Sequence, residues 1–320
     1  MVLVFIVIVV GVVLALFGYW FYVPSLEEPL LSASAKEETI QIGQLKRTYL
    51  SYVPQAIDSQ APVPLVVVFH GSGINGATIR RWTGYGFDRL ADQYHFAVAY
   101  PDGVEKGWND LSKIGAFAAK KQDVDDVAFI RQLITKYKQR HNIDVTRVYA
   151  FGYSNGGGMI FRIAAQERLL FTRVVTVGAA LPVAGNRLYP FFSATPPLLM
   201  INGTDDRIIP YEGGKIWFFG QNRGTVISAQ ETAEEFANTY PDKEVSEKGL
   251  LSRKVTESPT SVTHQVWTSN GKPIVELYSV MGGGHVVPQP WARFPRFMGV
   301  KTNDINAIML AIDFFDLKNK

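Results

Sequence analysis

Gly152-Tyr153-Ser154-Asn155-Gly156 places a serine between glycines at G-x-S-x-G spacing. A serine hydroxyl is a weak nucleophile until a base takes its proton, and the base needs an acid to fix its tautomer. Residues 147–151 read as a strand, and Gly156-Gly157-Gly158 leads into a helix over 160–168. A serine on such a strand-to-helix turn needs very small neighbours at −2 and +2, because its strained backbone forces strand and helix together. The turn would present Ser154 at the carboxyl edge of a sheet, where sheets flanked by helices bind ligands.

Two histidines follow Ser154. His264 sits in an alternating stretch, 262–267, that marks an ordinary strand face. His285 follows a strand over 275–281 through Gly282-Gly283-Gly284, a loop at a strand's carboxyl end, and is the expected base. For the acid, residues 197–201 read as a strand and Asn202-Gly203-Thr204-Asp205-Asp206 as the loop after it. Position alone does not choose between Asp205 and Asp206. Serine, aspartate, histidine is the chain order of α/β-hydrolases. Backbone N–H donors for the developing oxyanion are expected from Asn155, next to the nucleophile, and from Ser72 in the loop His70-Gly71-Ser72-Gly73. His70 itself is expected to shape that loop.

The same glycines also spell G-x-G-x-x-G over 71–76, with Asp102 further on, the outline of a dinucleotide fingerprint. That reading leaves Ser154, Asp206 and His285 without a role, whereas the oxyanion loop accounts for the glycines as well. No P-loop, H-E-x-x-H or EF-hand pattern occurs, so no cofactor and no metal is expected. The 32 basic and 29 acidic residues leave a formal charge of +3, which argues against nucleic acid as partner. Without cysteine there is no thiol nucleophile and no disulfide.

The elements that must position these groups alternate between strand-like and helix-like, as in a mostly parallel sheet with helices on both faces. Residues 64–70 and 96–100 are short apolar runs of the kind buried in parallel sheets. Further strands are expected at 147–151, 173–177, 197–201 and 275–281. Residues 124–141 have helical spacing, with Asp125 and Asp126 in the first turn and basic residues near the end. Ser228-Ala229-Gln230-Glu231 is a capping box opening a helix to about Tyr240, and the last helix starts near Asp304. Residues 241–261 are polar without a period and read as a surface excursion.

Residues 1–23 carry no charge, and thirteen of the first sixteen are Val, Ile, Leu or Phe. At about 1.5 Å per residue they reach roughly 35 Å, enough to cross a bilayer core. Phe17, Tyr19, Trp20, Phe21 and Tyr22 fall where an interfacial belt would lie. A retained transmembrane anchor is expected. A signal peptide cleaved near Ala33-Ser34-Ala35 is the alternative, and a buried core helix the third reading. The flank of Glu27, Glu28, Lys36, Glu37 and Glu38 is acidic, which favours an extracytoplasmic catalytic domain. The expected organisation is an anchor at 1–23, a tether at 24–38 and one catalytic domain at 39–320.

The constellation resembles the esterase family that includes poly(3-hydroxybutyrate) depolymerases and feruloyl esterases. The resemblance is carried by the opening 47–54, His70-Gly71-Ser72-Gly73, Tyr100-Pro101-Asp102-Gly103 and Gly107-Trp108-Asn109. Val124-Asp125-Asp126, the serine motif, Gly203-Thr204-Asp205-Asp206 and Gly282-Gly283-Gly284-His285 complete it. It implies an α/β-hydrolase fold, cofactor-free ester hydrolysis through an acyl-enzyme, Ser154 and His285 as nucleophile and base, and Asp206 rather than Asp205 as the acid. Members often carry Cys at the place of Ser72 and Trp-Pro-Gly after the histidine, where this chain has Val286-Val287-Pro288-Gln289. No separate polymer-binding domain is seen, so small or oligomeric esters are the expected substrates. Trp108 and Trp217 are the aromatic residues expected to line an acyl or aryl pocket. The rival readings are a peptidase or amidase on the same fold and a catalytically silent binding module.

Overall fold

In a computed structural model of the chain, the described residues are 9–11, 15, 18–57, 61–191, 195–218, 220–251 and 258–318. Strands β1 (Lys36–Ile42) and β2 (Leu45–Tyr52) pair antiparallel, and β2 pairs antiparallel with β4 (Ala97–Pro101). From β4 the sheet continues in parallel through β3 (Val63–Phe69), β5 (Ile143–Tyr153), β6 (Arg173–Val177), β7 (Leu198–Gly203) and β13 (Lys272–Met281). Beyond β13 the pairing turns antiparallel again, with β12 (Ser261–Ser269) and the short edge strands β10 (Lys243–Val245) and β11 (Gly249–Leu250). A separate hairpin, β8 (Gly214–Phe218) and β9 (Gln221–Val226), stands off the sheet.

Burial on both faces explains the continuous apolar runs of the central strands. In β3, Leu65, Val67 and Phe69 point into one core while Val66 and Val68 point into the other. The first core is closed by α4 (Asp126–His141), α5 (Asn155–Gln166) and α6 (Ala229–Ala237). The second is closed by α1 (Gly76–Trp82), α2 (Gly86–Tyr94) and α7 (Ala307–Phe314). A one-turn helix, α3 (Ala118–Lys121), precedes α4. The expected mostly parallel sheet with helices on both faces is what the chain forms. The capping box is present as well, since Ser228 and Glu231 satisfy each other's backbone N–H groups.

Three parts differ from the sequence reading. The excursion 241–261 contributes β10 and β11, fully exposed strands too short to show any alternation, while 252–257 lie outside the described residues. The 24–38 segment is no free tether. Glu28 pairs with Arg80, the Ser32 backbone N–H donates to Asp92 at 2.9 Å, and Leu31, Ala33 and Ala35 pack on the second core. Its last residues already belong to β1. Finally, the expected transmembrane helix falls largely on residues outside those described. Residues 9–11, 15 and 18–21 are helical, and among the described residues no helix is long and apolar enough to cross a membrane.

Candidate active site

Ser154 closes β5 and caps α5 with φ +56° and ψ −121°, a left-handed backbone that a non-glycine residue holds only under constraint. The constraint is packing. A Cβ on Gly152 would lie 2.6 Å from the Gly156 carbonyl oxygen, and one on Gly156 would lie 2.5 Å from the Phe69 oxygen and 2.6 Å from the His70 oxygen. Strand β3, strand β5 and helix α5 therefore meet with no room for side chains at −2 and +2 of the serine. Ser154 makes no side-chain capping bond to the helix, so its hydroxyl is not spent on the backbone.

Loop 203–209, after β7, carries the two candidate acids. Asp206 is buried, and its Oδ1 accepts N–H bonds from Ile208 and Ile209, both at 2.8 Å. Its Oδ2 lies 2.6 Å from Nδ1 of His285. Asp205, one residue earlier, points to solvent and meets Thr204. Of the two aspartates that sequence position left open, Asp206 is the one whose carboxylate reaches the imidazole. His285 is held from two sides: its backbone N–H donates to the Met298 oxygen at 2.6 Å, and its own carbonyl accepts from the Tyr153 hydroxyl at 2.8 Å. Burial pushes the Tyr153 phenol well above its ordinary pKa, which keeps it a donor. Gly178, at φ +60°, leaves the space beside the ring: a Cβ there would lie 3.0 Å from Nδ1 of His285.

The loop expected to hold the oxyanion, 70–73, runs against Ser154. A Cβ on Gly71 would lie 3.2 Å from Cβ of Ser154. Asn155 begins α5, where the first N–H groups have no intrahelical acceptor and the helix dipole favours negative charge. Its side chain is clamped, accepting the Trp108 backbone N–H at 2.8 Å and donating to Oδ2 of Asp110 at 2.6 Å. Trp108 Nε1 donates to the His70 oxygen at 2.9 Å, and His70 Nε2 accepts the Gly103 N–H, also at 2.9 Å. Arg47 and the Asn109 N–H both bond to the buried Asp126. The scattered motifs of the sequence are thus tied into a buried hydrogen-bond network beneath Ser72 and Asn155, the expected oxyanion donors.

His70 is fully buried, and desolvation pushes it down to about 4, so it stays neutral and structural at physiological pH. His264 stacks on Tyr278 with ring centres 4.1 Å apart and reaches Glu276, away from the site. Asp102 turns its Oδ1 back onto the Gly76 N–H at 2.8 Å, so the acid of the dinucleotide-like pattern is used inside its own loop.

Ser72, Ser154, Asn155 and His285 share one cavity of about 250 Å³. Its apolar walls come from Trp82, Phe117, Ile208 and Phe297 and from Ile216, Phe218 and Val226 of the β8–β9 hairpin. Neither tryptophan predicted for the pocket is part of it. Trp108 is fully buried beneath the oxyanion loop, and Trp217 is 55% exposed because strand alternation turns Ile216 and Phe218 inward and Trp217 outward. Tyr153, Asp110 and the hairpin residue Arg223 are the site residues that sequence reasoning missed. Tyr153 sits inside the serine motif, and no pattern marks the other two.

The fold is that of the α/β-hydrolase-like esterases. An acetyl xylan esterase from Aspergillus awamori shares the fold, with a TM-score of 0.54 at 15% identity over 88% of this chain and 99% of that one. Residues 47–185 match the family model described as Esterase PHB depolymerase. NocK of Nocardia uniformis subsp. tsuyamanensis, named as an esterase, is 26% identical over 92% of this chain and 86% of its own length. Poly(3-hydroxyalkanoate) depolymerase C of Paucimonas lemoignei is 28% identical over 74% of this chain, which spans 58% of that enzyme.

Proposed function

We propose that this chain is a serine carboxylic ester hydrolase acting through an acyl-enzyme on small or oligomeric esters of the hydroxyalkanoate or feruloyl type. The observation that carries the proposal is the strained Ser154 opening on the same cavity as the 2.6 Å Asp206–His285 pair. An ionised Asp206 can only accept, so it selects the tautomer with the proton on Nδ1 and leaves the Nε2 lone pair of His285 as base. His285 takes the Ser154 proton as Oγ adds to the ester carbonyl, and the oxyanion is held by the Ser72 and Asn155 N–H groups. The imidazolium returns its proton to the departing alkoxide, leaving acyl-Ser154. Water, deprotonated by His285, then adds to the acyl carbonyl, and Ser154 leaves with the proton. The relatives' names support ester chemistry over amide chemistry, and the small cavity supports short substrates.

The test uses the full chain and its Ser154→Ala variant on p-nitrophenyl acetate, butyrate and octanoate, methyl ferulate and a p-nitroanilide of matched acyl group. Ester turnover that falls by about 10⁴ in the variant is the expected result. Equal background rates in two folded proteins would overturn the proposal, and faster anilide than ester cleavage would make the enzyme an amidase.

Residues 1–23 are further proposed to anchor the protein with its catalytic domain outside the cytoplasm, on the strength of their uncharged apolar run and aromatic end. Carbonate-resistant membrane retention and protease access from outside are expected. Release of a chain beginning near residue 36 would establish cleavage instead.

A further inference from the structure

On the cavity wall contributed by β9, Arg223 makes no ion pair among the described residues. Its guanidinium carbon lies 4.2 Å from the centre of the Phe117 ring and 5.6 Å from that of Phe218. Nη2 donates to Gln221 at 3.2 Å, while Nε and Nη1 are shut off from water with no hydrogen-bond partner among the described residues. Burial lowers its pKa, and the carboxylate acting on it, Asp110, is already engaged by Lys120, Ser112 and Asn155.

A second unmet donor lies beside it. Asn186 is 95% buried, lines the same cavity and accepts the Ile114 N–H through Oδ1 at 2.9 Å. That bond fixes the amide orientation and leaves Nδ2 as the free end. Nδ2 has no partner among the described residues, and it lies 2.3 Å from where a Cβ on Gly224, the neighbour of Arg223, would stand.

Buried polar groups are normally satisfied, and an unpaired charge in apolar surroundings is costly. Here every unmet group is a donor, and one carries positive charge. The complement is a planar, negatively charged acceptor, the kind of group for which a guanidinium fork is suited. We propose that Arg223 and Asn186 form a carboxylate subsite, so that the preferred substrate is an ester carrying a free carboxylate away from the scissile carbonyl, such as a short hydroxyacid oligomer with an unesterified acid end. The proposal rests on the hydrolase reading and specifies its substrate. A rotation about the terminal bonds of Arg223, away from the Phe117 face, would turn its unpaired edge toward the cavity.

Two substrates isolate the effect: the linear dimer of 3-hydroxybutyrate as the free acid and as its methyl ester, with release of 3-hydroxybutyrate units as the readout. They share the internal ester and differ at the terminus in charge and one methyl group, and cleavage of the methyl ester itself is followed separately as methanol. In the wild-type chain the free acid should have the higher kcat/KM by about 10- to 100-fold, the range of a charge-assisted bond. Arg223→Met should bring that ratio close to one. Asn186→Asp, which keeps the bond to Ile114 but opposes a carboxylate with like charge, should lower it too. A misfolded variant would lower both rates and leave the ratio unchanged. Binding to Ser154→Ala, measured calorimetrically, separates the two levels of the argument. If neither dimer turns over but the acid binds more tightly than the ester, and Arg223→Met removes that difference, the subsite stands and the hydrolase reading falls. Equal kcat/KM for both dimers in the wild type, or a ratio unmoved in an Arg223→Met variant that keeps the wild-type rate on the methyl ester, would overturn the subsite while leaving the hydrolase intact.

Discussion

At the elbow, a Cβ on Gly156 would meet the Phe69 oxygen at 2.5 Å, whereas at the tip of the β8–β9 hairpin one on Gly220 would meet nothing within 4 Å. The elbow is backbone packed on backbone, and Ser154 holds an unfavourable φ because three elements leave it no alternative. The hairpin lines the cavity with side chains and is tied by backbone bonds to residues 181–183, while its outer face, with Trp217, is solvated. The elbow leaves no room for a side chain at Gly152 or Gly156, whereas the hairpin is open at its tip, Gly220, and tight at Gly224, where a Cβ would lie 2.3 Å from Nδ2 of Asn186.

The contrast is broken most severely by Asp206→Asn, which removes the one acceptor that fixes the His285 tautomer. Turnover should fall by about 10⁴, while Asp205→Asn, in the same turn but solvated, should cost less than twofold. Steady-state rates on one activated ester decide it, and equal losses would reassign the acid. Gly156→Ala should cost about 3 kcal/mol or more of stability, because the methyl group meets two fixed carbonyl oxygens, and thermal unfolding would register the loss.

Acid should expose the buried base of the oxyanion network. His70 sits at about 4 in the folded chain against about 6.5 unfolded, so the unfolded state binds the extra proton between those values. Its contribution is present in full above pH 6.5 and is lost as pH falls toward 4, a difference of about 3 kcal/mol at most. Denaturant titrations of the wild type and His70→Gln should differ in slope over that window and nowhere else. Tyr153→Phe leaves the His285 carbonyl without its donor and should cost about 1–3 kcal/mol, with a loss of rate at unchanged KM. The smallest effect belongs to the hairpin's outer face: Trp217→Ala should change stability by no more than about 0.5 kcal/mol. A larger change would mean that the hairpin is less independent than its exposure indicates.

The parallel strands, the elbow and the order of serine, aspartate and histidine were legible because each follows from a local rule: a continuous apolar run, small residues around a tight turn, a loop at a strand's carboxyl end. Asp206 could be separated from Asp205 only by resemblance, since one residue of spacing in a turn reverses which side chain faces inward. The hairpin was illegible for a different reason. Its strands are polar and aromatic without clean alternation, so the aromatic run 217–219 showed only that something there was apolar. Trp108 misled because an aromatic near a glycine-rich loop looks the same whether it faces a substrate or supports the loop from beneath.

The docked 24–38 strap changes what kind of device this is. Arg296 donates to the Tyr19 carbonyl at 3.0 Å, and Phe21 packs against Phe297, which lines the cavity. Among the described residues, contacts thus run from the N-terminal segment to the rim of the cavity. Were residues 1–23 the anchor proposed above, the cavity would open at a fixed height and heading beside the membrane rather than sweep its surroundings.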